Sequence, residues 1–305
     1  MKKLKRLLPA LCSAVVLCGC AVGTQVLNLT APHDGYAVYR DIAYGTDKQQ
    51  HLDAYIPAVH AVGNPVMVFF HGGNWQQGSK SDDKFVAQTL ASKGITVVMA
   101  DYRLFPAVTF PDFMTDAAQA VAWAHAHMDS HTPGSLFVAG YDSGAYIAVM
   151  LTLNPQYLQS AGGNPGWLKG AIGIAGPYDF LPFKDPKVKA IFSKVPEADT
   201  QPVNFAHANT PPLLLITGAE DSEVAPDNSI YLATKLRKYG NTVVEDVYPG
   251  VGHMGIKLAF SDFFRSKAPV LEDISNFIAH GSSDVQPATQ LQPAPVKKPE
   301  TIKRR

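Results

Sequence analysis

The sequence predicts an α/β domain: a doubly wound, mostly parallel eight-stranded sheet flanked by helices, over residues 37–280. Three observations carry this. Short apolar runs alternate with longer stretches of helical periodicity. Two runs, Val66-Met67-Val68-Phe69-Phe70 and Leu213-Leu214-Leu215-Ile216, are continuously apolar, as parallel strands covered on both faces require. With 305 residues and 46% hydrophobic content, the chain can bury a large core. Strands are predicted at 37–44, 51–56, 65–70, 95–100, 135–139, 170–174, 213–217 and 242–248. Helices are predicted at 81–93, 111–127, 143–153, 225–239 and 260–280. The alternation implies right-handed crossovers, and ligands of such sheets bind at the carboxyl ends of the strands. Residues 176–210 are less periodic, with several Lys and Pro, and read as a small cap or lid insertion.

Charge is unevenly placed. The 26 basic and 26 acidic residues cancel over the whole chain. Residues 20–280, however, hold 17 of the basic and 24 of the acidic ones, a net charge of −7. No basic patch points to nucleic acid, and neither a P-loop nor a dinucleotide fingerprint is present. Residues 1–19 read as a signal peptide: Lys2, Lys3, Lys5 and Arg6 precede an apolar run from Leu7 to Leu17, too short to span a bilayer stably. The end of that run, Leu17-Cys18-Gly19-Cys20, resembles a bacterial lipobox. The resemblance implies cleavage before Cys20, lipid on that residue, and a place in the bacterial cell envelope, at the outer membrane or periplasmic face. Of the three cysteines, Cys12, Cys18 and Cys20, none would remain free in the mature chain. Residues 20–36 read as a polar tether. Residues 281–305, with four prolines, three glutamines and a basic end, read as a disordered tail.

Four strings fall just after predicted strands. They are His71-Gly72-Gly73-Asn74-Trp75, Gly140-Tyr141-Asp142-Ser143-Gly144, Gly218-Ala219-Glu220-Asp221 and Gly252-His253-Met254-Gly255. With Gln76-Gln77-Gly78-Ser79-Lys80, Asp101-Tyr102-Arg103-Leu104 and Gly176-Pro177-Tyr178-Asp179, they make residues 37–280 resemble the α/β-hydrolase fold. The branch is the one with an HGGxW loop: hormone-sensitive-lipase-like, feruloyl-esterase-like and kynurenine-formamidase-like enzymes. The resemblance implies an oxyanion hole from Gly72, Gly73, Asn74 and the N–H of Ser143, with His253 as general base and Asp221 fixing its tautomer. It implies a small ester-like substrate, and no metal or other cofactor.

The nucleophile departs from the pattern. Gly140 and Gly144 place Asp142 where G-x-S-x-G has serine, and Ser143 falls one position late. Three readings are open. Asp142 can be structural, since Asp caps helices and tolerates unusual backbone, in a pseudo-hydrolase that binds rather than turns over. It can be a carboxylate nucleophile attacking carbon, as in dehalogenases and epoxide hydrolases, although their oxyanion loop is typically HGxP. Or the chain can be an ester or amide hydrolase working through Asp142 as base or through an anhydride. Asp142 and Asp221 flanking one imidazole should make His253 hold its proton more tightly than in a serine triad.

Trp75, Tyr141 and Tyr178 are candidate substrate contacts. His71 reads as a brace for the glycine loop. His125, His127 and His131 lack the Cys or paired carboxylates of a metal site and read as helix-face residues.

Overall fold

The computed structural model describes residues 27–28, 31–59, 64–129 and 135–280. The predicted signal peptide, Cys20, His131 and the predicted tail at 281–305 lie outside them.

Eight strands form one sheet: β1 (Tyr36–Ala43), β2 (His51–Pro57), β3 (Val66–Phe70), β4 (Thr96–Ala100), β5 (Leu136–Tyr141), β6 (Leu168–Ile174), β7 (Leu213–Gly218) and β8 (Val243–Tyr248). Their spatial order is β1-β2-β4-β3-β5-β6-β7-β8. Only β1–β2 and β2–β4 pair antiparallel, and the rest of the sheet is parallel. Side-chain alternation splits the core in two. Val66, Val68 and Phe70 face one layer, whereas Met67 and Phe69 face the other.

Helices α1 (Lys84–Ala91), α2 (Asp112–Ala124), α3 (Ser143–Leu153), α4 (Gln156–Ser160), α5 (Pro186–Ile191), α6 (Asp227–Lys238), α7 (His253–Leu258) and α8 (Val270–His280) cover the sheet. Helix α3 leaves β5 directly and all its residues are buried, matching its mostly apolar composition. Helix α1 receives a cap from a distance: Asn28 Oδ1 accepts the Phe85 N–H at 2.9 Å, and Asn28 Nδ2 donates to Ser81 O. Within the predicted tether, Leu27 and Ala31 are buried against the domain.

The predicted helix at 260–280 is corrected. The chain instead runs irregularly after α7, with a 3₁₀ turn at Arg265–Lys267, before α8 begins at Val270. Pro269 explains the break, because a residue before proline is pushed out of the helical region. Ala268 is accordingly extended, with φ −155° and ψ 120°.

The 176–210 insertion is docked on the domain. It carries α5 and short 3₁₀ turns. Phe180 and Phe192 pack on Trp75 with ring centroids 6.1 and 5.0 Å away, and Phe110 N donates to Ile191 O.

Candidate active site

The strand ends gather the predicted residues at the carboxyl edge of the sheet. β5 ends at Tyr141, Asp142 forms the turn, and α3 starts at Ser143. Asp142 has φ 52° and ψ −121°, a strained conformation for a residue with a Cβ. The turn is so tight that a Cβ on Gly140 would lie 2.2 Å from Gly144 C, and one on Gly144 would lie 2.0 Å from Phe70 O. Only glycine fits at either place, which is why anchoring the motif on this pair places Asp142 at the apex.

The glycine loop follows β3. Gly73, Asn74 and Trp75 all have positive φ, at 125°, 54° and 59°. This winding turns successive N–H groups inward. Gly73 N and Asn74 N donate to Asp142 Oδ2 at 2.9 and 3.1 Å. The Asp142 carboxylate thus occupies the pair of donors that the sequence assigned to an oxyanion hole. Asp142 Oδ1 accepts no hydrogen bond among the described residues. Gly72 backs the elbow: a Cβ there would meet the Tyr141 ring at 2.8 Å.

His253 opens α7. Its Nδ1 lies 2.7 Å from Asp221 Oδ2. A carboxylate can only accept, so Nδ1 carries the proton and Nε2 is left for chemistry. Asp221 is held in turn by Glu223 N and Val224 N on Oδ1, at 3.0 and 2.8 Å. Burial opposes the charged imidazole. The Asp221 hydrogen bond and the charges of Asp142, Asp221 and Glu223 outweigh burial, and the His253 pKa lies above its ordinary value. Asp142, Asp221 and His253 are all at least nine-tenths buried, so solvent screens these interactions little.

Ser143 is fully buried, and its Oγ lies 3.3 Å from Tyr102 Oη, which donates to His71 O. Its side chain serves a polar core network. Tyr141 Oη donates to His253 O at 3.3 Å, and burial with the nearby Asp142 charge pushes the Tyr141 phenol pKa well up, keeping it a neutral donor. Trp75 is 2% exposed and sits among Phe113, Tyr146, Phe180 and Phe192. Tyr178 is corrected from substrate contact to core residue. It is fully buried, with its hydroxyl against Gly173 and Gly176, where a Cβ would meet it at 2.0 and 2.4 Å.

His71 braces the loop as predicted from sequence: its Nδ1 bonds Gly72 O at 2.7 Å and its ring stacks on Tyr102 at 4.5 Å. His125 and His127 stack on Trp167 and Trp123. No metal-binding cluster occurs among the described residues.

Sequence reasoning missed two supports. Lys80, nearly buried, pairs with Asp41 at 2.7 Å and with Asp53 and Asp101 at 3.5 Å. Lys80 N also donates to Asp101 Oδ1, tying the glycine loop to the end of β4. Lys257 pairs with buried Asp83 beside Tyr141. The strings around Lys80 and Asp101 are visible in sequence, but their contact depends on β3 and β4 being neighbours.

Known proteins similar to this chain include esterases and a formamidase. Isoprenylcysteine alpha-carbonyl methylesterase of Arabidopsis thaliana is 26% identical over 281 residues, covering 84% of this chain and 65% of the plant protein. Esterase LipC of Mycobacterium tuberculosis is 29% identical, covering 72% of this chain and 60% of its own length. The chain therefore spans less than two thirds of either relative. Kynurenine formamidase of Danio rerio is 28% identical, covering 73% and 71%. Among solved structures, a hyperthermophilic esterase from Pyrobaculum calidifontis superposes with TM-score 0.68 at 20% identity, covering 87% of this chain and 92% of that one. The eight-stranded sheet and its helices are those of the α/β-hydrolase fold. The BD-FAE family model matches residues 52–236, more than half of the chain, and the protein belongs to that family, in the esterase-like branch of the α/β-hydrolases.

Proposed function

We propose that this protein is a hydrolase of carboxylic ester or amide type in which Asp142 takes the place of the serine nucleophile. The observation that carries this reading is the seat of Asp142 Oδ2 on the N–H groups of Gly73 and Asn74. In a serine enzyme such donors hold the substrate's carbonyl oxygen, and each is worth about 3–4 kcal/mol in the transition state. Here they hold the enzyme's own carbonyl oxygen.

The chemistry then runs in two steps. Asp142 Oδ1 adds to the ester carbonyl carbon, the acyl–oxygen bond breaks, and the departing alkoxide takes the Nε2 proton of the His253 imidazolium. An acyl–Asp142 anhydride and a neutral His253 remain. Loss of the Asp142 charge lowers the proton affinity of His253, which now removes a proton from water. The hydroxide adds to Asp142 Cγ, negative charge develops on Oδ2 within the two N–H groups, and the acyl carboxylate leaves. Asp142 then releases its proton to solvent, and the net reaction is ester plus water giving acid plus alcohol. Attack of Oδ1 on an alkyl carbon would give an alkyl–Asp142 ester in place of the anhydride; hydroxide then adds to Cγ, the departing alkoxide takes its proton from His253, and Asp142 returns its own proton to His253.

The esterase and formamidase relatives support an ester-like or amide-like small substrate. The lipobox-like Leu17–Cys20 string supports anchoring through lipid on Cys20 at the bacterial envelope, which labelling with a fatty-acid probe tests: a Cys20→Ala variant should lose the label.

Turnover in ¹⁸O-water tests the mechanism. A panel of short-acyl esters, amides, epoxides and haloalkanes is offered, and the peptide containing Asp142 is weighed. The expected result is ¹⁸O in Asp142 after one turnover. Label in the released acid with Asp142 unlabelled would overturn attack through Asp142. Absence of any turnover or adduct would leave a ligand-binding pseudo-hydrolase.

A further inference from the structure

The helix that carries His253 is pinned through a buried ion pair that none of the catalytic steps uses. Lys257 lies four residues after His253 on α7, so the two side chains share a helix face. Its ammonium pairs with the carboxylate of Asp83, and the two side chains are 10% and 1% exposed. Asp83 sits at the N-terminus of α1, on the segment that continues from the glycine loop. Neither Asp83 oxygen has another partner among the described residues. The same ammonium stands 5.0 Å from the centroid of the Tyr141 ring, on a cation–π contact.

Tyr141 joins everything at this point. It immediately precedes Asp142, its ring centroid is 4.9 Å from that of His253, and its hydroxyl bonds the His253 carbonyl. Gly72 packs close to its ring, where a Cβ would lie 2.8 Å from it. One aromatic ring therefore meets the nucleophile turn, the glycine loop and the histidine helix, with Lys257 held over it by Asp83.

We propose that Lys257 and Asp83 are positioning residues that hold α7 against Tyr141 and so keep His253 in register with Asp142. This rests on the reading that His253 and Asp142 act together. A purely structural pair makes a different forecast. Buried ion pairs contribute little net stability and can often be replaced by apolar residues without loss, whereas removing one partner strands a buried charge. The Asp83→Leu/Lys257→Met double variant therefore deletes the clamp without leaving an orphan charge.

The test compares wild type, this double variant and Lys257→Met as full chains. Circular dichroism follows folding, ester hydrolysis gives kcat and KM, and NMR follows titration of the His253 ring. The expected result is a folded double variant with kcat at least tenfold lower, KM unchanged, and a His253 titration shifted downward toward that of free imidazole. A folded double variant with wild-type kcat and an unshifted His253 titration would overturn the proposal. If wild type hydrolyses no ester, the proposed activity fails, yet the His253 titration still decides the positioning role: a shift supports it and no shift overturns it. If the double variant does not fold, Lys257→Met decides instead. It removes the clamp from α7, and a folded protein with wild-type kcat and an unshifted His253 titration would overturn the proposal.

Discussion

Asp142 Oδ2 lies 2.9 Å from the backbone nitrogen of Gly73 and takes the hydrogen bond that an esterase would give to its substrate. Two consequences follow from this one contact. A substrate carbonyl cannot share the donors while the carboxylate sits there. An oxyanion that develops on Asp142 itself is stabilised from the moment it forms. Replacing Asp142 by Ser separates these effects, because it empties the donors and supplies a hydroxyl at the same apex. The Asp142→Ser variant is expected to hydrolyse short-acyl nitrophenyl esters at least about tenfold faster than wild type, measured by nitrophenol release. A variant slower than wild type would mean that a hydroxyl at the apex does not replace the Asp142 carboxylate in acyl transfer.

The same substitution should move His253. Asp142 is one of the charges that raise its pKa against the cost of burial. Removing that charge leaves burial and Asp221 in contest, so the imidazole should lose its proton at lower pH in Asp142→Ser than in wild type. NMR titration of the ring reads this directly. For stability the sign is fixed. A His253 pKa above the unfolded value contributes stability below that unfolded value, and the contribution is lost as pH rises through the folded value.

Asp221 earns its place through its 2.7 Å contact with His253 Nδ1. An amide there can present a donor to Nδ1, which favours the wrong tautomer and points a proton at the water that must be activated. Asp221→Asn should therefore lower kcat by about 10³–10⁴-fold with little change in KM. Steady-state kinetics on the best ester of the panel check it, and a loss below tenfold would place the base elsewhere.

The sheet and the strand-end position of the site were legible because they rest on local rules: continuously apolar strands, glycines at turns that allow no Cβ, and an acid and a histidine after later strands. Gly144 illustrates this, since its need for a bare Cα follows from Phe70 O at 2.0 Å and is visible as a motif. Gly144→Ala should accordingly fail to reach the native fold or melt far below wild type, checked by thermal denaturation. What stayed hidden depended on long-range geometry. Nothing in the string Gly140–Gly144 says that the Asp142 side chain turns back onto Gly73 and Asn74. Tyr178 looked like a site residue because it follows β6, yet the bare faces of Gly173 and Gly176 give its ring a place in the core. The 260–280 helix was read from apolar periodicity, and the conformational limit that Pro269 sets on Ala268 overrode it.

Away from the site, Asp246 sets an opposite pH dependence from that of ordinary surface carboxylates. It is 2% exposed on β8, and burial, followed by the charges of Asp273 on α8 and Glu245, pushes its pKa up to about 7. Asp273 is raised too, chiefly by burial, while accepting a bond from the Tyr248 hydroxyl. Glu272 stands on the same helix, and Arg237 of α6 neutralises Glu245 at 2.7 Å. Between the unfolded Asp value near ~4 and about 7, the folded state holds a proton on Asp246 that the unfolded state has released. Unfolding free energy should then fall as pH rises through this window, at up to about 1.4 kcal/mol per pH unit. Asp246→Asn mimics the protonated form and should flatten that slope, raising stability at pH 7 relative to wild type. Urea denaturation at a series of pH values between 4 and 8 measures both slopes. Equal slopes in wild type and Asp246→Asn would show that this carboxyl releases its proton as readily in the native state as in the unfolded chain.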